Sequence, residues 1–583
     1  MPALRLIQLT LILLLLAGCA PAGAPTPRDT GATASNNSSA AQPVAPNRTL
    51  VVVARGEPPT LAAKPLQGFS GSLTPPLRLF NATLDYIDAN EVPQPYLVQA
   101  LPQLNSDTWR VLPDGKMETI HRLRPNLTWH DGMPLTAEDF VFAHKVYSTP
   151  TLGTSGSPPI VEMEEVVAQD AGTVLIRWKR PFPDAVQMDQ TFQALPRHLL
   201  EEPFQTLDPL GFTNHPYWTS EYVGLGPYKV ARWEAGAFIE ATAFDGHALG
   251  KPKIGQVRLA FIGDANTALA NILTGEAHYV SDYVLWYHEG ETLEREWAMR
   301  GGTATAGTVF FSPALMRITH VQQRPDFVAP QALLDVRVRR ALWHAIDSPS
   351  AVEALTGGKG LVATTLSSPA AEHYPQIDRA IAKYPYDPRR AQQILDQAGF
   401  TRGSDGILVA PPELGGEPLR IEAWYSAGSD EERENAILTD SLRRIGVDAI
   451  SKVTPVAMVR DAQARSTTLG ISTGGMGGKR FIEMTTDAIP RPETRWQGNN
   501  RGAWSNAEYD RFYQLYSTTL DKSERIQHLA QLERVFTQEV GAIPYLFTVV
   551  VVAHTANLKG PVMRKTPEGG VGTLRADTWE WTS

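Results

Sequence analysis

Four stretches of this chain have residue types that could do chemistry. Tyr287-His288-Glu289-Gly290 sets a histidine beside a glutamate, as helical zinc sites do, but it carries a helix-unfriendly glycine and no second histidine at i+4. Gly68-Phe69-Ser70-Gly71-Ser72 approaches a nucleophile elbow with its glycine one place too early. Thr473-Gly474-Gly475-Met476-Gly477-Gly478-Lys479-Arg480 approaches a phosphate loop, yet Thr473 stands where the first glycine should be and Arg480 where the metal-binding hydroxyl should be. Gly224-Leu225-Gly226-Pro227 lacks the third glycine of a dinucleotide site, and Tyr228-Lys229-Val230 after it reads as strand rather than helix. The 13 histidines are scattered, which suits surface and core positions better than a metal site. No catalytic residue, metal or cofactor is therefore expected, and a secreted hydrolase or metalloenzyme is the remote alternative.

The remaining reactive group is Cys19, the only cysteine of the 583 residues, so internal disulfides and thiolate metal sites are excluded downstream of it. It ends an apolar run from Leu6 to Ala17, about a dozen residues, where a spanning helix needs roughly 20. Leu16-Ala17-Gly18-Cys19 resembles the bacterial lipoprotein box, which implies cleavage of residues 1–18 and lipidation of Cys19. Residues 19–47 are Ala, Pro, Ser, Thr, Asn and Gly with almost no large apolar group and read as a flexible stalk. The rest is then extracytoplasmic and held to the membrane by lipid. A net charge of −9 on this length is too mild to suggest nucleic acid as a partner.

The elements that must position any site alternate between strand and helix. Arg48 to Ala54 is a β-branched run bounded by Gly56, Pro58 and Pro59 and predicts a buried strand. Leu123-Arg124-Pro125-Asn126-Leu127-Thr128-Trp129-His130-Asp131-Gly132-Met133-Pro134-Leu135-Thr136-Ala137-Glu138-Asp139-Phe140 runs from strand through an Asp-Gly turn into a helix with Thr136 as N-cap and Asp139 at N3. Helices are also predicted over 266–274 with Gly275 as stop, around 334–346, after Asp387-Pro388, and from a capping box at Ser429 to Glu432. Arg337 and Arg340 read as a solvated face. A further capping box lies in Trp504 to Asp510, and Tyr545 to Ala553 is a β-run.

The 123–140 stretch is similar to the signature of family 5 extracellular solute-binding proteins, the oligopeptide, dipeptide and nickel binding lipoproteins of ABC importers. Gly224 to Val230, Leu334 to Asp347 and Tyr386-Asp387-Pro388 resemble further blocks of that family in the same order. Ala277-His278 departs from it where an aspartate is usual. The resemblance implies a mixed α/β, periplasmic-binding-protein type II-like fold, with two large lobes joined by a two-segment hinge and an extra subdomain on the first lobe. The implied divisions are a first lobe from 48–80, 216–307 and 541–583, an extra subdomain at 81–215, and a second lobe at 308–540. The chain would cross between lobes near Thr308 to Pro313 and near Val540 to Thr548.

Proteins of this kind trap ligand between lobes. The expected contribution to the cleft is the glycine-bearing segment Gly474 to Trp504, with Met476, Arg480, Trp496, Asn499, Asn500 and Trp504, joined by Tyr425 and Trp286. Trp496 and Arg480 have little local apolar pattern to pack into, so binding rather than fold stability is expected of them. Peptide-binding relatives carry an aspartate near a "D-P" in this segment to pair the peptide ammonium. Here Asp487 is followed by Ala488-Ile489-Pro490, and Lys479, Arg480, Arg491, Arg495 and Arg501 outnumber Glu483, Asp487 and Glu493. The implied function is capture of a small organic solute, peptide-like as a first guess, and delivery to an ABC permease and ATPase complex. A monomer is expected, and a ligand-binding sensory receptor uncoupled from transport is the alternative.

Overall fold

The computed structural model describes residues 48–64, 66, 75–153, 156, 158–189, 191–300, 306–459, 461–478, 480–564 and 572–582. Cys19, the expected stalk and the Gly68 to Ser72 run lie outside them. The β-branched run forms the strand Leu50–Ala54, paired in parallel with Gln256–Phe261 on one side and Tyr279–Leu285 on the other. Phe238–Ala243 and Tyr228–Glu234 extend this half antiparallel. In the other half Arg420–Ser426 lies between Asp448–Thr454 and Ile471–Met476, all parallel.

Two long strands make one continuous sheet of these halves. Gly307–Val321 and Ile543–Thr555 pair antiparallel from Gly307 opposite Thr555 to Thr319 opposite Ile543. Beyond this ribbon, Ile543–Thr555 pairs with Tyr279–Leu285 and Gly307–Val321 with Ile471–Met476. The ladder slips between Pro313 and Met316, where the proline cannot donate a hydrogen bond. The two expected crossings fall in or beside these strands.

A separate antiparallel sheet orders Trp109–Val111, Met117–Arg122, Thr173–Trp178 and Met163–Asp170. The helix Ala137–Tyr147 packs on it and starts as the sequence predicts, with the Thr136 N–H donating to the Asp139 carboxylate at 2.9 Å. Its buried face of Phe140, Ala143, Val146 and Tyr147 joins one hydrophobic cluster that runs from Leu50 through Trp129 and Trp178 to Trp579. Further clusters fill the other half.

Two local expectations are corrected. Gly290 sits inside the helix Tyr287–Met299, because a Cβ there would lie 2.8 Å from Val551 and 2.9 Å from Phe311. Close packing on the long strands offsets a propensity cost of about 1 kcal/mol. Ser429 is the first residue of the helix Ser429–Arg444 rather than its cap, which is Gly428. Among the described residues no helix is long and apolar enough to cross a membrane, and no group of three or more His, Cys, Asp or Glu could hold a metal ion.

Candidate binding site

A cavity of about 370 Å³ opens where residues 156–191 face residues 478–525. One wall is Phe182, Asp184 and Met188, and the other is Phe481, Tyr513, Tyr516 and Arg525. Each wall is held from behind. The buried Asp85 carboxylate accepts the backbone N–H groups of Met188 and Asp189, both at 3.0 Å, and so fixes the loop that carries Met188. Phe182 stacks on the core residue Trp178, with ring centroids 4.9 Å apart. Opposite, the Tyr509 hydroxyl donates to the Phe481 carbonyl at 2.8 Å, and Phe481 meets Tyr516 edge-on at 5.6 Å.

Charge joins the walls. Arg525, on the helix Lys522–Glu539, donates to both carboxylate oxygens of Asp184 at 2.8 and 2.9 Å, and its guanidinium lies 4.5 Å over the Tyr516 ring. Arg180 grips Glu162 with two nitrogens and reaches across to the Gln514 side-chain oxygen. A fork of this kind is directional, so it selects one relative placement of the walls. The site offers aromatic faces, an apolar floor at Met188 and a closing ion pair, which suits holding a solute; among the described residues no nucleophile paired with a base lines it.

Of the eight side chains expected at the cleft, none lines this cavity; their neighbours Gly478, Phe481 and Ile482 do. Four are corrected to structural roles. Met476 and Trp504 belong to a hydrophobic cluster, with Trp504 edge-on to Tyr509 at 5.0 Å. Asn500 is fully buried and donates to the carbonyls of Thr485 at 3.1 Å and Trp504 at 2.7 Å. Arg480 is 1 % exposed and donates to the carbonyls of Leu366 at 2.7 Å and Gly477 at 3.2 Å. Local sequence around Arg480 is glycine-rich, but the Leu366 acceptor comes from a distant loop, which no local pattern reveals. Asn499 is exposed and donates to Glu483 at 3.0 Å. Trp496 is half-buried with φ 58°. Trp286 begins the helix Tyr287–Met299, with the Arg55 guanidinium 5.0 Å over its ring. Tyr425 is half-buried; strand alternation turns its neighbours Trp424 and Ser426 toward a second, polar pocket of about 210 Å³ that also touches Ser472 to Gly475.

Asp184, Arg525, Tyr513 and Tyr516 were missed by sequence reasoning. Tyr513 and Tyr516 stand at i, i+3 on the helix Ala507–Thr518, a spacing shared with any core-facing stripe.

A model of the bacterial extracellular solute-binding proteins, family 5, middle region, matches residues 99–486. The chain belongs to this family. Proteins described as ABC transporter peptide-binding proteins in Brucella species, among them Brucella ovis, are 26% identical over 302 residues. That match spans 51% of this chain and half the length of those relatives. The oligopeptide-binding protein AppA of Bacillus subtilis is 24% identical over 463 residues, 77% of this chain and 78% of the relative. Among solved structures, NikZ from Campylobacter jejuni in complex with Ni(L-His) superposes with a TM-score of 0.73 at 21% identity, covering 92% of this chain and 100% of that one. The two-lobed, mixed α/β architecture is thus the fold of family 5 solute-binding proteins, as the motifs implied.

Proposed function

We propose that this family 5 protein is the extracytoplasmic substrate-binding subunit of an ABC importer, lipid-anchored through Cys19. It captures a small organic solute, peptide-like in the first instance, and hands it to a permease. The observation that carries the reading is the cavity whose two walls come from distant stretches of chain and are clasped by the Asp184–Arg525 pair. In this reading 48–80, 216–307 and 541–583 form the first lobe, 81–215 its subdomain and 308–540 the second lobe, hinged on the two long strands. Backbone pairing supports a peptide-like guest: Gly474 to Met476 pairs with Met316 to Ile318 on one edge, while its other edge has no strand partner among the described residues.

The test is a thermal-shift panel of peptides, oligosaccharides, opines and metal chelates on the purified protein. A solute at 100 times its dissociation constant should add about 2.7 kcal/mol of stability. Conversion of a solute into product in proportion to protein would refute the reading. The anchor is checked separately: Cys19→Ala should move the protein from the membrane to the soluble fraction.

A further inference from the structure

We infer that the second, polar pocket binds an anionic oxyacid group of the captured solute, a carboxylate or a phosphate, between Arg465 and Arg501. This deepens the solute-binding reading and rests on it. The pocket lies at the carboxyl ends of the parallel strands Arg420–Ser426 and Asp448–Thr454 and along Ser472 to Gly475, the end of an open α/β sheet where ligands characteristically bind. At about 210 Å³ it has room for a head group rather than a whole solute.

Three arginines line it, and they differ in one respect. Arg317 is neutralised by the buried Glu434 through two contacts, one of 2.9 Å. Neither Arg465 nor Arg501 has a side-chain hydrogen bond or ion pair with any described residue, and the Arg465 Nε is sealed from solvent without a partner. Burial, with the charge of Arg465 beside it, lowers the Arg501 pKa to about 10, so the group stays charged at neutral pH. Gly474 runs beside it, since a Cβ there would sit in ordinary contact at 3.7 Å from Arg501 Nη1.

Neighbouring charge adds to the surplus. Among the described residues Arg324 donates only to the carbonyls of Ser466, Arg501 and Pro490 and to the Gln322 side chain, and Arg491 donates to the Thr486 carbonyl. Against these stand Glu431 at the pocket and Glu483, which acts on Arg501 without forming an ion pair. A guanidinium withdrawn from water costs several kcal/mol unless an acceptor replaces the water. An oxyanion bridging Arg465 and Arg501 supplies that acceptor, and the Ser472 hydroxyl stands beside it as a further donor.

The experiment titrates the full-length protein with inorganic phosphate, citrate and a peptide in free-acid and C-terminal amide forms, at constant ionic strength with chloride as control. Wild type should gain melting temperature with phosphate, with citrate or with both, and which of them acts tells phosphate from carboxylate. The Arg465→Gln/Arg501→Gln variant should lose the gain, bind any free-acid solute about thirtyfold more weakly, and melt without ligand no lower than wild type. Arg501→Lys should recover part of the binding and keeps the test open should glutamine impair folding. An anion effect of equal size in the double variant, or none in wild type, overturns the inference. A neutral solute that binds wild type and double variant equally also overturns it while leaving solute capture standing; no binding by any solute removes both.

Discussion

Arg480 and Arg501 lie on the same glycine-bearing segment and both lose most of their water, yet their surroundings are opposite. Around Arg480 two backbone carbonyls accept its protons, the Phe547 ring lies 5.4 Å away, and the buried carboxylate of Glu533 is close enough to feel its charge. Around Arg501 stand another arginine and, too far for an ion pair, Glu483, and none of the described residues accepts a hydrogen bond from its side chain. Burial alone therefore does not separate a structural charge from a binding one. Accounting for partners does, because a desolvated charge that is fully hydrogen-bonded holds the fold together, whereas one left without an acceptor weakens it until a ligand arrives.

The contrast is broken most directly at Arg480. Arg480→Ala should cost about 3 kcal/mol or more of unfolding free energy in a urea titration, since it strands buried carbonyls and Glu533. A cost as small as a surface change would erase the difference between the two arginines.

Acid sharpens it from another side, because histidine can escape burial by shedding its charge and arginine cannot. Burial lowers His121 and His320 to about 3, and His130, His247 and His278 to about 4. With folded values below the unfolded 6.5, their stabilisation is fully present above pH 6.5 and is lost as pH falls toward 4. The unfolding free energy should drop steeply between pH 6.5 and 4, by about 2 kcal/mol or more in total, and the melting temperature with it. The drop should shrink in His121→Gln.

The seam pair is the intermediate case, satisfied but only partly buried. Asp184→Asn should weaken solute binding by about fivefold, roughly 1 kcal/mol, with unliganded melting nearly unchanged; calorimetry on wild type and variant reads both. The smallest effect belongs to Trp496→Ala, which should move stability by roughly 0.5 kcal/mol at most and leave affinity alone, because the ring lines neither pocket. A large affinity loss there would restore the cleft role that its glycine surroundings suggested.

Much of the scaffold was legible because its signals are local. The Thr136 and Asp139 capping box, Asp387 capping a helix that opens on Pro388, and Gly275 in the left-handed conformation at φ 81° each act within one turn of chain. The strand runs of Leu50–Ala54 and Ile543–Thr555 announce themselves by β-branched composition. Even so, Arg339 escaped notice between the surface residues Arg337 and Arg340. It is buried, donating to the carbonyls of Glu539 and Val540 at the far end of another helix.

The sequence by itself determined the element order and the family, since composition, spacing and caps are properties of neighbouring residues. Only the tertiary structure decided which side chains of Gly474 to Trp504 face the core, which carboxylate meets Arg525, and which arginines have no partner. Those outcomes depend on acceptors far away in sequence: Leu366 for Arg480, Asp184 for Arg525, and for Arg501 none among the described residues. Whether a buried polar group is satisfied is settled by three-dimensional proximity, and a one-dimensional pattern carries no record of it.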